Sequence, residues 1–259
     1  MPNVIVCYKW VLDEQDISVN ENTLELNLSR AKSKISDYDR NAIEAGARLV
    51  ERFGGKLTAL SYGTSDVKSS LKDTLSRGPE AVYWIGDATA TKADAYVTAN
   101  VLAAAIKQIG SFDIVICAEG SADQYSQQVG PRLAALLGAA AVTFANQLDW
   151  ADGQLVAHRK LENSIEVLRT DAPVVASVLP EINEARIPAL KQVLAAGKKP
   201  MTELKISDLQ LDAAKLQPKN KVDKIKGAVF NRKNIIFKES NAAENVSKLL
   251  DCLKKESVV

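Results

Sequence analysis

Asp113 to Gly138 reads DIVICAEGSADQYSQQVGPRLAALLG. Asp113 to Cys117 is a short, apolar, β-branched run, which predicts a fully buried strand. A loop of small and polar residues follows. Pro131 lacks an N–H and fits only the first turn of a helix, so the helix begins between Gln127 and Gly130 and closes at Leu137-Gly138. Strand, polar loop and helix in this order are half of a βαβ unit. A strand without polar alternation belongs to a sheet covered on both faces, which is the setting of parallel sheets.

The same rhythm extends upstream. Asn3 to Tyr8, Leu57 to Tyr62 and Ala81 to Ile85 predict three more buried strands. Ile43, Ala47, Leu49, Val50 and Phe53 keep helical spacing until Gly54-Gly55. Ser36 and Asp39 stand three residues apart like a capping box for that helix. Thr64 or Ser65 predicts the cap of a helix running to about Arg77, and Ala93 to Ile109 is a long Ala-rich helix. Asp16 to Leu28 alternates around Asn20-Glu21-Asn22 and predicts a hairpin excursion. Val142 to Ala145 is a fifth strand.

After Gln147 the rhythm changes. Leu155 to Lys160, Ile165 to Arg169 and Val174 to Val178 predict a hairpin and a return strand into the core sheet. Pro180 to Pro200 is polar apart from Leu190 to Ala196. From Ser207 the chain is lysine-rich, with little core-forming pattern until Val229. Asn241 to Lys255 is an amphipathic helix with Val246, Leu249, Leu250 and Leu253 on one face. Such a helix either grips a partner or folds back on its own domain, and the pattern leaves both open. The expected architecture is α/β: a parallel sheet covered on both faces, with an extra β-hairpin and a C-terminal arm. The expected division is 1–206 for the α/β domain and 207–259 for the arm.

Composition excludes several functions. Among 259 residues, 33 Lys and Arg balance 32 Asp and Glu, which leaves a nucleic acid no basic surplus to bind. The only histidine is His158, so Ser-His-Asp catalysis and multi-histidine metal sites lack their parts. Cys7, Cys117 and Cys252 have no CxxC spacing, and Cys7 and Cys117 fall in apolar strands as buried thiols. No run resembles a signal peptide or approaches the roughly 18 apolar residues of a membrane span, so a cytoplasmic address is expected.

Ligands of parallel α/β sheets sit beyond the carboxyl ends of the strands. Those places hold Lys9, Gly63, Gly86-Asp87 and Glu119-Gly120. The last runs through Ala118, Glu119, Gly120, Asp123, Ser126, Gln127, Gln128 and Val129 to Gly130. Free N–H groups at the helix start, backed by the helix dipole, suit an anion such as phosphate. Gly130 removes a side chain where a backbone or ligand approaches closely, and Asp123 is placed to bond loop amides or a ligand hydroxyl. Neither GxGxxG nor a Walker loop is present. Physics alone leaves two readings open, a phosphate site and an ordinary capped loop.

Four segments in order resemble the β subunit of electron-transfer flavoproteins, and most closely its FixA-like branch. They are Val6-Cys7-Tyr8-Lys9 with Val11, Ser36 to Ala45, Leu75-Ser76-Arg77-Gly78-Pro79, and Gly120 to Pro131 with its Gln-Val-Gly-Pro. The resemblance implies the parallel-sheet, adenine-nucleotide-binding α/β sandwich of that family, with a nucleotide lying against Cys7, Ser36, Asp39, Tyr62 and the loop from Ala118 to Val129, its phosphate on the amides of Ser126 to Val129. That nucleotide is AMP in ordinary members and a second FAD in electron-bifurcating ones. The redox-active FAD lies mainly on an α subunit. The resemblance further implies a cytoplasmic αβ heterodimer that passes electrons between an acyl-CoA-type or other flavin dehydrogenase and a quinone reductase or other acceptor. It implies no catalytic residue of its own, no metal, no nucleic acid and no membrane insertion. Asn183 to Leu190 resembles the loop that docks on dehydrogenases through one exposed leucine, which falls on Leu190. The competing reading makes Leu190 the start of a helix's core face.

Asp123-Gln124-Tyr125-Ser126 stands where bifurcating members tend to show Asp-Gly-Asp-Thr, and Ser36-Asp37 stands where the family has Asn-Pro. AMP and FAD therefore both remain open, as does the role of Tyr125. Two rivals have different requirements. A stand-alone stress-type ATP or AMP module would be a homodimer, without need of the Pro180 to Pro200 segment or the arm. An ATP pyrophosphatase would need a Ser-Gly-Gly-x-Asp-Ser loop where the chain has Lys9-Trp10-Val11-Leu12.

Overall fold

A computed structural model describes residues 1–228 and 232–259. Val229, where the apolar pattern was expected to resume, lies outside the described residues. Nine strands form the main sheet: β1 (Asn3–Tyr8), β2 (Lys56–Gly63), β3 (Ala81–Gly86), β4 (Ile114–Ala118), β5 (Ala140–Ala151), β6 (Gln154–Lys160), β7 (Ile165–Asp171), β8 (Val174–Val178) and β9 (Met201–Glu203). The helices are α1 (Asp37–Phe53), α2 (Leu71–Ser76), α3 (Ala95–Ile109), α4 (Val129–Leu137), α5 (Leu190–Ala196) and α6 (Ala242–Lys255). The sheet order is β7-β6-β5-β8-β4-β1-β2-β3-β9. From β5 to β9 along that order the pairings are parallel, and β6 and β7 add an antiparallel hairpin at one end. The α/β architecture expected from the strand–helix rhythm is the one observed.

The period-2 side-chain rule explains why the central strands are apolar throughout. On β1, Val4, Val6 and Tyr8 join Ile43, Ala47 and Leu49 of α1 in one buried layer, while Ile5 and Cys7 enter the other. On β4, Ile114, Ile116 and Ala118 face the first layer, and Val115 and Cys117 face Val97, Val101 and Ile106 of α3 and Leu133 of α4. Each fully buried Ile or Leu contributes about 2 kcal/mol by transfer from water. β8 is buried at every residue because it is inserted between β4 and β5, which fulfils the expected return strand.

Three local expectations are corrected. The Ser36 hydroxyl does not cap α1; it accepts a bond from the amide of Ala122, far along the chain. Thr64 provides no side-chain cap either, and residues Ser65–Ser70 form a 3-10 turn before α2. There the Ser70 hydroxyl donates back to the carbonyl of Val67 at 2.6 Å, which favours a tighter turn than the α-helix. The strand expected at Val142 to Ala145 is part of a twelve-residue β5, because β6 pairs along its outer half.

The chain divides into two compact units, Met1–Ser18 with Asn27–Lys224, and Val19–Leu26 with Ile225–Val259. The first contains the sheet. In the second, the amide of Gly227 bonds the carbonyl of Leu24 at 2.8 Å, and Asn241 caps α6 by accepting from the amide of Glu244 at 2.8 Å. Val246, Leu249 and Leu250 of α6 are exposed. No helix among the described residues is long and apolar enough to cross a membrane.

Candidate functional site

From β1 the chain builds outward through β2 and β3, then crosses back to lay β4 on the other side of β1. This reversal opens a crevice at the carboxyl ends of β1 and β4. Lys9 leaves β1 there and Glu119 leaves β4. The Lys9 ammonium meets the Asp123 carboxylate at 2.6 Å, so an ion pair bridges the two strand ends. Burial raises the Asp123 carboxyl, but the charge and bonds of Lys9 outweigh it and hold the group below its ordinary value.

The start of α1 forms the floor beside this pair. The amide of Ser36 donates to the Lys9 carbonyl at 3.0 Å, and Asp39 accepts from the Lys9 amide at 2.9 Å. Asp39 is buried, and desolvation pushes its carboxyl up to about 7 against the lowering effect of the Lys9 amide and charge. With the Ser36 hydroxyl bonded to Ala122, the helix start joins both loops at once.

The loop after β4 is organised by its own side chains. Asp123 accepts from the Ser121 hydroxyl at 2.6 Å and from the Gln124 amide at 2.9 Å. The Tyr125 hydroxyl donates to Glu119 at 2.5 Å, and Gln127 reaches the other oxygen of Glu119 at 3.4 Å. The bond to Glu119 pushes the Tyr125 phenol up to about 12. Tyr125 has a φ of 44°, and its ring lies 5.2 Å from that of Tyr38. A Cβ on Gly120 would stand 2.7 Å from the Tyr125 ring, so glycine is what lets the tyrosine fold down over the strand end.

The loop then enters α4 without a side-chain cap from Gln128. Among the described residues, the amides of Ser126 to Gly130 find no acceptor within the chain. Gln128 instead accepts two bonds from Arg132 through its side-chain oxygen, at 3.1 and 2.8 Å. A row of free donors at a helix start fits a phosphate-bearing group. Gly130 has a different neighbour from the one a ligand would supply. A Cβ there would approach Ser177 of β8 to 3.2 Å, so the residue is small for helix–strand packing.

The structure thus ties Ser36, Asp39, Glu119, Asp123 and Gln127 together at the carboxyl ends of β1 and β4 through Lys9, Ala122 and Tyr125; Ala118 ends β4, Gly120 lies under Tyr125, and Ser126, Gln128, Val129 and Gly130 lead into α4. Cys7, next to last in β1, faces the other buried layer and touches Cys117, whose thiol is pushed up by a hydrogen bond with Cys7 and by burial. Tyr62 stands at the end of β2, where its hydroxyl pairs with Thr89 at 2.8 Å and burial raises the phenol. Sequence reasoning noted Lys9 as the residue after β1 without assigning it to the site, and Tyr38 went unassigned. The signal for Lys9 was a charge directly after the first strand; Tyr38 shows only through its ring contact.

At a distance from the crevice, Leu190 opens α5 and is 74% exposed, with Ile187 before it at 93%. Ala196 is the one buried residue of α5, so Leu190 does not start a core face.

A family model described as the electron transfer flavoprotein domain matches residues 23–209. The chain belongs to that family, whose proteins carry electrons rather than catalyse covalent chemistry.

Proposed function

We propose that this member of the electron transfer flavoprotein domain family works as the β subunit of an αβ heterodimer, close to the FixA-like branch. It holds AMP or a second FAD in the crevice between β1 and β4, beside an FAD borne mainly by the α subunit. The arm at 207–259 packs on that subunit. Electrons enter from an acyl-CoA-type or other flavin dehydrogenase and leave to a quinone reductase or another acceptor. The observation that carries this role is the loop from Ala118 to Gly130, with its free amides at the start of α4.

A flavin supplies the redox chemistry when bound; the protein supplies binding and orientation. The amides of Ser126 to Val129 hold a phosphate, and the Lys9–Asp123 pair closes the crevice beside it. Cys7 and Tyr62 line the nucleotide's far side. Leu190 anchors the dehydrogenase, as an exposed apolar residue in a polar surround is suited to do.

The test is to co-express the two subunits, purify the complex, denature it and quantify released nucleotides by chromatography and flavin absorbance. One AMP and one FAD per heterodimer mean a carrier with a structural nucleotide in this subunit. Two FAD without AMP mean a redox-active site here. ATP on this chain alone, without complex formation, overturns the role.

A further inference from the structure

Residues 183–189 have no regular secondary structure, yet side chains bond their backbone at four of the seven residues. Asn41 and Asn183 exchange bonds, side-chain amide to carbonyl in each direction, at 2.6 and 3.0 Å. Arg48 donates to the carbonyl of Glu184 at 3.0 Å, and Arg77 to the carbonyl of Arg186 at 3.0 Å. The amide of Ala189 donates to Gln192 at 2.7 Å.

Arg186 is the centre of this arrangement. Its guanidinium donates to Glu44 at 2.6 and 3.2 Å and to Glu51 at 2.6 and 2.9 Å, and its own amide reaches Glu44 at 3.3 Å. The Glu44 side chain is almost wholly buried. Burial raises its carboxyl, but Arg186 and Arg48 outweigh that and hold it low. The planar fork of an arginine meets each of these two carboxylates with a pair of bonds, a geometry an ammonium does not offer. Asn41, Glu44, Arg48 and Glu51 follow one another at helical spacing, so a single stripe of α1 receives Asn183, Glu184 and Arg186. With the polar groups drawn inward, Ile187, Leu190 and Leu194 point to solvent, each more than two-thirds exposed.

A flexible loop loses conformational freedom when it docks, and ordering it beforehand removes that cost from binding. We propose that Arg186 is a positioning residue: by clamping residues 183–189 to Glu44 and Glu51, it presents Ile187 and Leu190 as a preformed docking edge for a flavin dehydrogenase. This rests on Leu190 being the docking anchor.

The test uses the purified αβ complex with an acyl-CoA dehydrogenase as electron donor, and compares Arg186→Gln, Arg186→Lys and Leu190→Ala. Arg186→Gln is expected to raise KM for the complex about tenfold, the equivalent of about 1.4 kcal/mol, with kcat and bound nucleotide unchanged. Arg186→Lys recovers part of that loss. Hydrogen exchange on the same proteins is expected to speed up at residues 184–189 while α1 stays protected. If Leu190→Ala raises KM and Arg186→Gln does not, the docking anchor stands and the positioning role falls. If Leu190→Ala changes nothing, the docking reading falls and takes this inference with it. Unchanged exchange in Arg186→Gln, or a parallel loss of kcat and nucleotide, also overturns it.

Discussion

The loop from Ala118 to Val129 and the segment from Asn183 to Ala189 are both polar stretches that lead into a helix, and they are held in opposite ways. The first is shaped mainly by near neighbours: Ser121 with Asp123, Tyr125 and Gln127 with Glu119. Its ties to the rest of the chain are few, chiefly Lys9 with Asp123 and Ala122 with Ser36. The second is held by bonds to α1, some 142 residues away in sequence. Local bonds can be exchanged without disturbing the fold, whereas the second segment moves only if a buried charged contact breaks. A loop that must adapt to a ligand suits the first arrangement, and a surface that must keep its shape suits the second.

The largest effect should come from the strand beneath the crevice. Ile116→Ala opens a cavity in a fully buried position and should cost about 4 kcal/mol in denaturant unfolding. Ile187→Ala, on the exposed segment, should stay within about 0.5 kcal/mol. Equal losses at the two positions would erase the distinction between inward and outward regions.

Asp39 sharpens the contrast through pH. Its carboxyl titrates at about 7 in the folded protein and near 4 when unfolded. The folded state therefore holds the proton more tightly, and this group's contribution to stability falls as pH rises from about 4 to about 7. The size is about 4 kcal/mol, at about 1.4 kcal/mol per pKa unit, with no further change above that window. Asp39→Asn should flatten the slope and be the more stable form at pH 8. Urea unfolding of both proteins from pH 5 to pH 8 checks this, and parallel profiles would contradict a buried, ionising Asp39.

Leu190→Ala should lower kcat/KM with a dehydrogenase about tenfold, since a leucine anchor contributes about 1–2 kcal/mol. Its unfolding midpoint and nucleotide content should be those of the parent chain. An unfolded Leu190→Ala would mean the residue supports the fold. The smallest change is Tyr125→Phe, which removes the bond to Glu119 at a partly exposed site and should cost under about 1 kcal/mol. If Tyr125 closes over the crevice, the same variant should release nucleotide faster in a chase with excess AMP.

Much of the crevice was legible because its cues are local. A buried strand, a polar loop and Pro131 in a first turn follow from the chemistry of neighbouring residues. The sequence left Leu190 open between an exposed anchor and the start of a core face, since an apolar residue before a short helix reads as either; the fold exposes it. The pairing Ser36-Asp39 looked like a capping box because local spacing is all a sequence displays. In the fold, the two side chains turn to Ala122 and Lys9 instead.

By itself the sequence determined the α/β class, the order of its main elements and the polar loop that leads into α4. Those follow from periodicity, glycine and proline, which act over a few residues. Tertiary structure alone decided that Lys9 would face Asp123, that Tyr125 would fold over Gly120 against Tyr38, and that Arg186 would join Glu44 and Glu51. Each of these contacts closes a loop of the chain or joins separate elements. Its partner is chosen by how the sheet brings strand ends together, which no local pattern encodes.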